Sequence, residues 1–228
     1  MPDKGGSVPS KARNSIIESP NLEVRTVAAD SGVRPLRLGL YGGTFDPIHH
    51  GHLILARDAI EQLGLERIVF LPAAISPHKL ARAPSAPAEL RGAMVAAAIA
   101  DEPRFVMDDS ELHRSGPSFT IESVEQIRAR HPEARLYYLI GADNLRELPT
   151  WRRFDELSRL VQFVVFGRSL NKADTAHEFP VVPRRIDISA TEIRDRVARG
   201  ASIRYLVPDP VRLLISSHHL YQEPPHQS

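Results

Sequence analysis

Gly42-Gly43-Thr44-Phe45-Asp46-Pro47-Ile48-His49-His50-Gly51-His52 is the stretch that decides how this chain folds. Before it, the run from Leu38 to Tyr41 reads as a buried strand. After it, Leu53, Ile54, Ala56, Ala59, Ile60 and Leu63 recur at helical spacing. The glycine pair gives the backbone room to approach a ligand, and His49 and His52 share one face of the helix start. A helix N-terminus carries unpaired N–H groups and a partial positive charge, so two imidazole donors there add to a field already suited to anions. Gly51 keeps the space between them open. The pattern predicts a phosphate site. A histidine pair at i, i+3 is also a zinc chelate, but the chain has no cysteine and no acidic residue at metalloprotease spacing around the pair, so no metal ligand is assigned.

The remainder of the chain repeats this alternation. Apolar runs predict strands near 37–42, 67–71, 104–107, 135–140, 161–166 and 185–188, and helical periodicity predicts helices near 50–63, 88–101, 118–130, 152–159, 190–199 and 209–218. The order predicts an α/β fold, a mostly parallel sheet flanked by helices in a single domain. Residues 1–35 mix Gly, Ser, Pro and charges with little periodicity and read as a disordered N-terminal extension. The domain spans 36–221, and 222–228 read as a flexible C-terminal tail.

Composition excludes several classes of function. The 228 residues are 42% hydrophobic, enough for a real core. Basic and acidic residues nearly cancel, 29 against 28, so no extended basic field points to nucleic acid as the main partner. The absence of cysteine excludes a disulfide framework and thiolate metal sites, and fits a reducing cytoplasm, the expected location. No run of about 18 apolar residues exists to span a bilayer. Ser15 to Pro20 is too short and too polar for the apolar part of a signal peptide. Neither GxxxxGK followed by Ser or Thr nor GxGxxG after a strand is present, which removes the P-loop and the dinucleotide redox fingerprint.

A second pole lies at Ile188-Ser189-Ala190-Thr191-Glu192-Ile193-Arg194. Ser189 followed three residues later by Glu192 is a capping box, predicting a helix from Ser189 to about Arg199 with Gly200 as its stop. A plain capped helix accounts for both. It does not account for Arg194, because a cation in the early turns opposes the macrodipole by about 0.3–1 kcal/mol unless an anion sits nearby. Between the poles, Tyr137 to Ile140 reads as a strand that Gly141 ends, which puts Asp143 at the carboxyl edge of the sheet, where ligands of open α/β sheets bind. Gly116-Pro117-Ser118-Phe119-Thr120 opens the helical pattern of Ile121, Val124 and Ile127, with Ser118 readable as its N-cap. Ile75-Ser76-Pro77-His78-Lys79 falls in a Pro- and Ala-rich loop from Pro72 to Pro87. Asp108, Asp109, Glu111 and Arg114 read as a solvated or purely structural polar run.

Together these segments carry a resemblance. GGTFDPIHHGHL resembles the HxGH signature of the nucleotidyltransferase superfamily, and the fuller string is similar to the bacterial nicotinate-nucleotide adenylyltransferase family. The ISATEIR segment resembles that family's ISxTxxR motif, and the IGADNL segment followed by Trp151 resembles its substrate-selecting segment. The likeness runs over roughly 37–218, including the closing Tyr205-Leu206-Val207-Pro208-Asp209-Pro210-Val211. The resemblance implies a Rossmann-like mononucleotide-binding fold. It implies ATP binding by Gly42, Gly43, Thr44, Phe45, His49, His52, Gly141, Asp143, Ser189 and Arg194, with His49, His52 and Arg194 catalytic. The mononucleotide would be held by Thr44, His78, Lys79, Thr120 and Trp151, the last stacking on the pyridine ring. Substrates are then ATP and nicotinate mononucleotide, with Mg²⁺ accompanying ATP, no membrane or nucleic-acid partner, and a homo-oligomer left open.

The chain departs from the family pattern at Ser76, where a second proline is usual, at Arg152, where a second aromatic is common, and at Gly167-Arg168-Ser169, where paired arginines precede Pro-Gly. The alternatives are an enzyme preferring the amide mononucleotide or accepting both, and an inactive nucleotide-binding regulator on the same fold.

Overall fold

The computed structural model describes residues 34–75, 85–167 and 179–222. Among the described residues six strands and six helices follow one another, alternating as far as β5: β1 (Arg37–Gly43), α1 (His50–Leu63), β2 (Arg67–Pro72), α2 (Ala88–Ile99), β3 (Phe105–Met107), α3 (Thr120–Arg130), β4 (Arg135–Gly141), α4 (Phe154–Leu160), β5 (Gln162–Gly167), β6 (Val181–Pro183), α5 (Ala190–Ala198) and α6 (Asp209–Ser217). Two single-turn 3₁₀ helices, Ala142–Asn144 and Leu148–Thr150, lie between β4 and α4.

All strand pairs are parallel, in the order β3-β2-β1-β4-β5-β6. Strands buried on both faces need apolar side chains at nearly every position, which is why β1, β2, β4 and β5 read as continuous hydrophobic runs. Their side chains divide by pleat parity. Tyr41, Phe70, Tyr137, Leu139, Val164 and Phe166 enter one core layer with residues of α1, α2, α5 and α6. Leu38, Leu40, Val69, Leu71, Leu136, Tyr138, Ile140 and Val165 enter the other, beneath α3 and α4. The strand order reverses between β1 and β4, and the crevice at their carboxyl ends is where this topology binds ligands.

The last strand departs from expectation. The sheet ends in Val181–Pro183, not in 185–188. Ile186 and Ile188 do alternate with exposed Arg185 and Asp187, the pattern that suggests a strand. Pro183 has no N–H to extend the ladder, and the segment beyond it turns to run beside α1. There Ile186 Cγ2 stands 3.5 Å from where a Gly51 Cβ would lie, and Arg184 bonds the buried carboxylate of Asp58 on α1. The predicted start of α3 also shifts: Phe119 is its N-cap, and Ser118 is buried with its backbone N–H bonded to the Ile75 carbonyl at 2.9 Å. The helix expected from 152 begins at Phe154, because Arg153 takes a left-handed conformation at φ 55°. Residues 1–33 of the expected extension and 223–228 of the expected tail lie outside the described residues; Arg34, Pro35 and Gln222 are exposed.

Candidate active site

At the switch point the first β–α connection places the histidines. His49 is the N-cap of α1, with φ −147° and ψ 169°, and His52 is the third helical residue. The His49 backbone N–H donates to His52 Nδ1 at 3.2 Å, and the two rings stack with centroids 3.7 Å apart. Because Nδ1 of His52 accepts, a neutral ring carries its proton on Nε2 and donates from its far side. Tyr41 and Phe45 support His52 edge-on, at 5.9 and 5.1 Å between centroids. His49 is 6% exposed, and its Nδ1 is buried without a hydrogen-bond partner. Burial, and secondarily the neighbouring His50, lowers its pKa to about 4, so the ring is neutral at physiological pH. Gly51 is required here: a Cβ would stand 2.9 Å from His49 Nδ1.

Arg194, on the second turn of α5, reaches into the same connection. Its Nη1 donates to the Asp46 backbone carbonyl at 2.8 Å and its Nη2 to Thr191 Oγ1 at 3.2 Å. The cation that a plain capped helix left unexplained is therefore anchored three residues from His49, on a carbonyl 148 positions away in the sequence. Ser189 caps α5, its Oγ accepting the Glu192 N–H at 3.1 Å. Only that half of the predicted box is the cap, since the Glu192 carboxylate faces Arg196. Gly200, at φ 69°, closes the helix as expected.

On the other side of the crevice, Gly42 and Gly43 end β1 while Gly141 ends β4 and exposed Asp143 follows it, its Oδ1 accepting from Asn144 at 3.1 Å. Asp143 lies close enough to Tyr41 to add to the burial that raises the phenol's pKa. Thr120 opens α3 and its Oγ1 meets Tyr138 Oη at 3.4 Å. Trp151 packs edge-on against Tyr138 at 5.8 Å and against Phe163 at 6.1 Å. Thr120, Tyr138 and Trp151 thus form one wall beside Gly42. Arg152 instead lies over the Phe119 ring at 4.5 Å and pairs with Glu122 at 3.2 Å. Phe45 is buried in the core, with its backbone in the left-handed region at φ 47°. Of the remaining predicted residues, Thr44 presents its carbonyl to Arg91, whereas His78 and Lys79 lie outside the described residues.

Arg91 and Asp46 brace the β1–α1 connection; Arg91 does not stand out in the sequence, and Asp46 does so only as a member of the glycine–histidine stretch. Arg91 of α2 is 1% exposed and donates to the carbonyls of Thr44 and Ala73 at 2.6 Å each, Ala74 at 2.8 Å and Ala86 at 3.2 Å. The buried Asp46 carboxylate accepts the N–H groups of Ser85 and Ala86 at 2.8 and 3.1 Å and the Tyr221 hydroxyl at 2.8 Å. Glu111, read as part of a solvated or structural run, is buried, accepts from Ser123 Oγ at 2.5 Å, and has its pKa raised chiefly by burial. A lone Arg in the otherwise apolar turns of Leu90-Arg91-Gly92-Ala93-Met94 was the one available signal.

Residues 40–196 match the family model described as cytidylyltransferase-like, and with this sheet order and helix-capping histidine pair the chain belongs to that class of nucleotidyltransferase. Probable nicotinate-nucleotide adenylyltransferases are similar over most of their length: the one from Synechococcus sp. (strain JA-3-3Ab) is 40% identical over 82% of this chain and 96% of its own, and one from Thermus thermophilus is 42% identical over 82% and 100%. Within its class, then, the chain belongs to the nicotinate-nucleotide adenylyltransferase family. The fold agrees with Plasmodium falciparum nicotinic acid mononucleotide adenylyltransferase complexed with NaAD, at a TM-score of 0.68 and 19% identity, covering 82% of this chain and 97% of that one.

Proposed function

We propose that this protein transfers the adenylyl group of ATP to nicotinate mononucleotide, giving nicotinate adenine dinucleotide and pyrophosphate, a step of NAD biosynthesis. The observation that carries the reading is the 2.8 Å bond from Arg194 to the Asp46 carbonyl, which anchors a guanidinium on the same β1–α1 connection that carries His49. A mononucleotide phosphate oxygen attacks the α-phosphorus of ATP and pyrophosphate leaves. No general base is needed, because the second pKa of a phosphate monoester is about 6 and the nucleophile is already ionised at neutral pH. The difficulty is electrostatic: an anion approaches a polyanion, and charge moves onto the leaving group. Catalysis rests on positioning and charge stabilisation, supplied by His52 as donor, neutral His49, the α1 N-terminus and Arg194. Ser189 and Arg194 hold the triphosphate, Asp143 and the glycine ends of β1 and β4 the ATP moiety, and Thr120 and Trp151 the pyridine mononucleotide.

A Mg²⁺ accompanying ATP would keep most of its waters and bind largely through substrate phosphates, so no described residue is assigned to hold it. Bound with ATP, the ion would offset triphosphate charge. No described helix is long and apolar enough to cross a membrane, and we place the reaction in the cytoplasm. The test is to incubate the protein with ATP, Mg²⁺ and either the acid or the amide mononucleotide and compare kcat/KM for dinucleotide formation. An excess for the acid is expected. An excess for the amide overturns the substrate, and no pyrophosphate release with either overturns the enzyme.

A further inference from the structure

The chain does not end at α6. Leu220 folds back, its N–H bonded to the Ile215 carbonyl at 3.0 Å and its side chain buried, and Tyr221 follows with φ 63°. A tyrosine in the left-handed region is strained and persists there only where its surroundings fix it. Here the ring packs against the core layer of α1, α2, α5 and α6, and the hydroxyl donates to Asp46 Oδ1 at 2.8 Å, 175 residues away in sequence.

Asp46 joins the parts of the triphosphate side. Its carboxylate is held by three donors, the N–H groups of Ser85 and Ala86 and the Tyr221 hydroxyl. Its carbonyl holds Arg194, and the chain reaches His49 three residues on. At 6% exposure the carboxylate cannot replace a lost donor with bulk water. Arg194 and Arg91 both lie near enough to bear on the phenol electrostatically, so Tyr221 sits among the charges of the site rather than on a remote face.

We propose that Tyr221 is a positioning residue of the adenylyl-transfer site: its hydroxyl sets the orientation of Asp46, and through the Asp46 carbonyl the guanidinium of Arg194. This rests on the function proposed above. Arg194 acts most strongly when charge moves onto the leaving pyrophosphate, whereas ATP in the ground state is held by many contacts. Misorienting Arg194 therefore lowers kcat more than it raises KM.

The experiment is a double-mutant cycle between Tyr221→Phe and Arg194→Ala, with kcat and KM for ATP measured beside the melting temperature. The Phe variant keeps the ring and its packing, and should lose about 10- to 30-fold in kcat while KM for ATP stays within roughly threefold. In the Arg194→Ala background the same change should cost less than about twofold, because the residue through which it acts is gone. Tyr221→Leu, an apolar filler without a hydroxyl, should give the same kcat loss and the same cycle. Wild-type kcat in Tyr221→Phe overturns the inference, as does an equal loss in both backgrounds, which is what a merely structural role produces. If the unmodified protein forms no dinucleotide with either mononucleotide, the adenylyltransferase reading falls and takes this inference with it.

Discussion

The His49 and His52 rings stack 3.7 Å apart at 26° between planes, locked by the His49 N–H donating to His52 Nδ1 at 3.2 Å. The His52 imidazole thereby both accepts the N–H of the N-cap residue, His49, and is oriented as a donor from its far side. His52→Ala removes two things at once: a cap bond, on the order of 1 kcal/mol of stability, and a preorganised donor whose loss typically costs about 10²–10³ in turnover. His52→Asn can restore the cap without reproducing the far-side donor. Steady-state kinetics and thermal melts on both variants should show melting recovered in the Asn variant and kcat still depressed in both.

The depressed His49 pKa makes stability depend on pH in a definite direction. Folded His49 titrates near 4, below its ordinary 6.5, with burial the main cause. Above 6.5 neither folded nor unfolded His49 is protonated and the full stability is present. Between 6.5 and 4 the unfolded state binds a proton that the folded state refuses, so stability falls as pH falls, by up to about 3 kcal/mol. Urea unfolding from about pH 7 to 4 should show this slope, and His49→Asn should flatten it. The acid limb of kcat/KM should instead follow the substrate phosphate near pH 6, and a limb that moves with His49→Asn would assign it to the imidazole.

Periodicity makes the core strands, the six helices and the placing of the histidine pair at a helix start legible, because each is a local pattern with a fixed repeat. The sequence also placed Arg194 as an unexplained cation, since the macrodipole argument needs only neighbours. What it could not show were bonds whose partners are backbone groups far away. Arg91 donates only to carbonyls, which every residue has, and Tyr221 meets an aspartate 175 residues off. The last strand was misplaced for a related reason: Ile186 and Ile188 alternate like a strand, but Ile186 lies against Gly51 of α1 and Ile188 packs on the core layer beneath it rather than in a sheet ladder.

Arg91 yields the sharpest stability prediction. It gathers the carbonyls of Thr44, Ala73, Ala74 and Ala86, so it joins the β1–α1 connection to the end of β2 and the start of α2. Arg91→Met fills similar volume but strands those buried acceptors, and each unsatisfied one costs about 1–3 kcal/mol. A total loss of roughly 3 kcal/mol or more is expected, large against the roughly 5–15 kcal/mol of a typical domain. Arg91→Lys should recover only part of it, because an ammonium cannot reproduce the guanidinium fork. Chemical denaturation of the two variants checks the order: wild type, then Lys, then Met.

Gly42 and Tyr138 make the final case, since the glycine can be read as needed for ligand approach or for its neighbour. A Cβ at Gly42 would collide with Tyr138 Oη and stand 3.1 Å from Cζ, so the neighbour alone already forbids a side chain. Tyr138 is buried, and its hydroxyl also meets Thr120 Oγ1, so it has little freedom to withdraw. Gly42→Ala should cost about 1–3 kcal/mol as overpacking. Adding Tyr138→Phe removes the clash with the hydroxyl and should return a good part of that stability, leaving the tight contact to Cζ. Urea midpoints for the two single variants and the double give the coupling directly. Turnover then separates the two demands on Gly42: if the double variant is stable yet kcat/KM for the mononucleotide stays low, the space above β1 is needed by substrate, and if activity returns with stability, Tyr138 was the sole reason for the glycine.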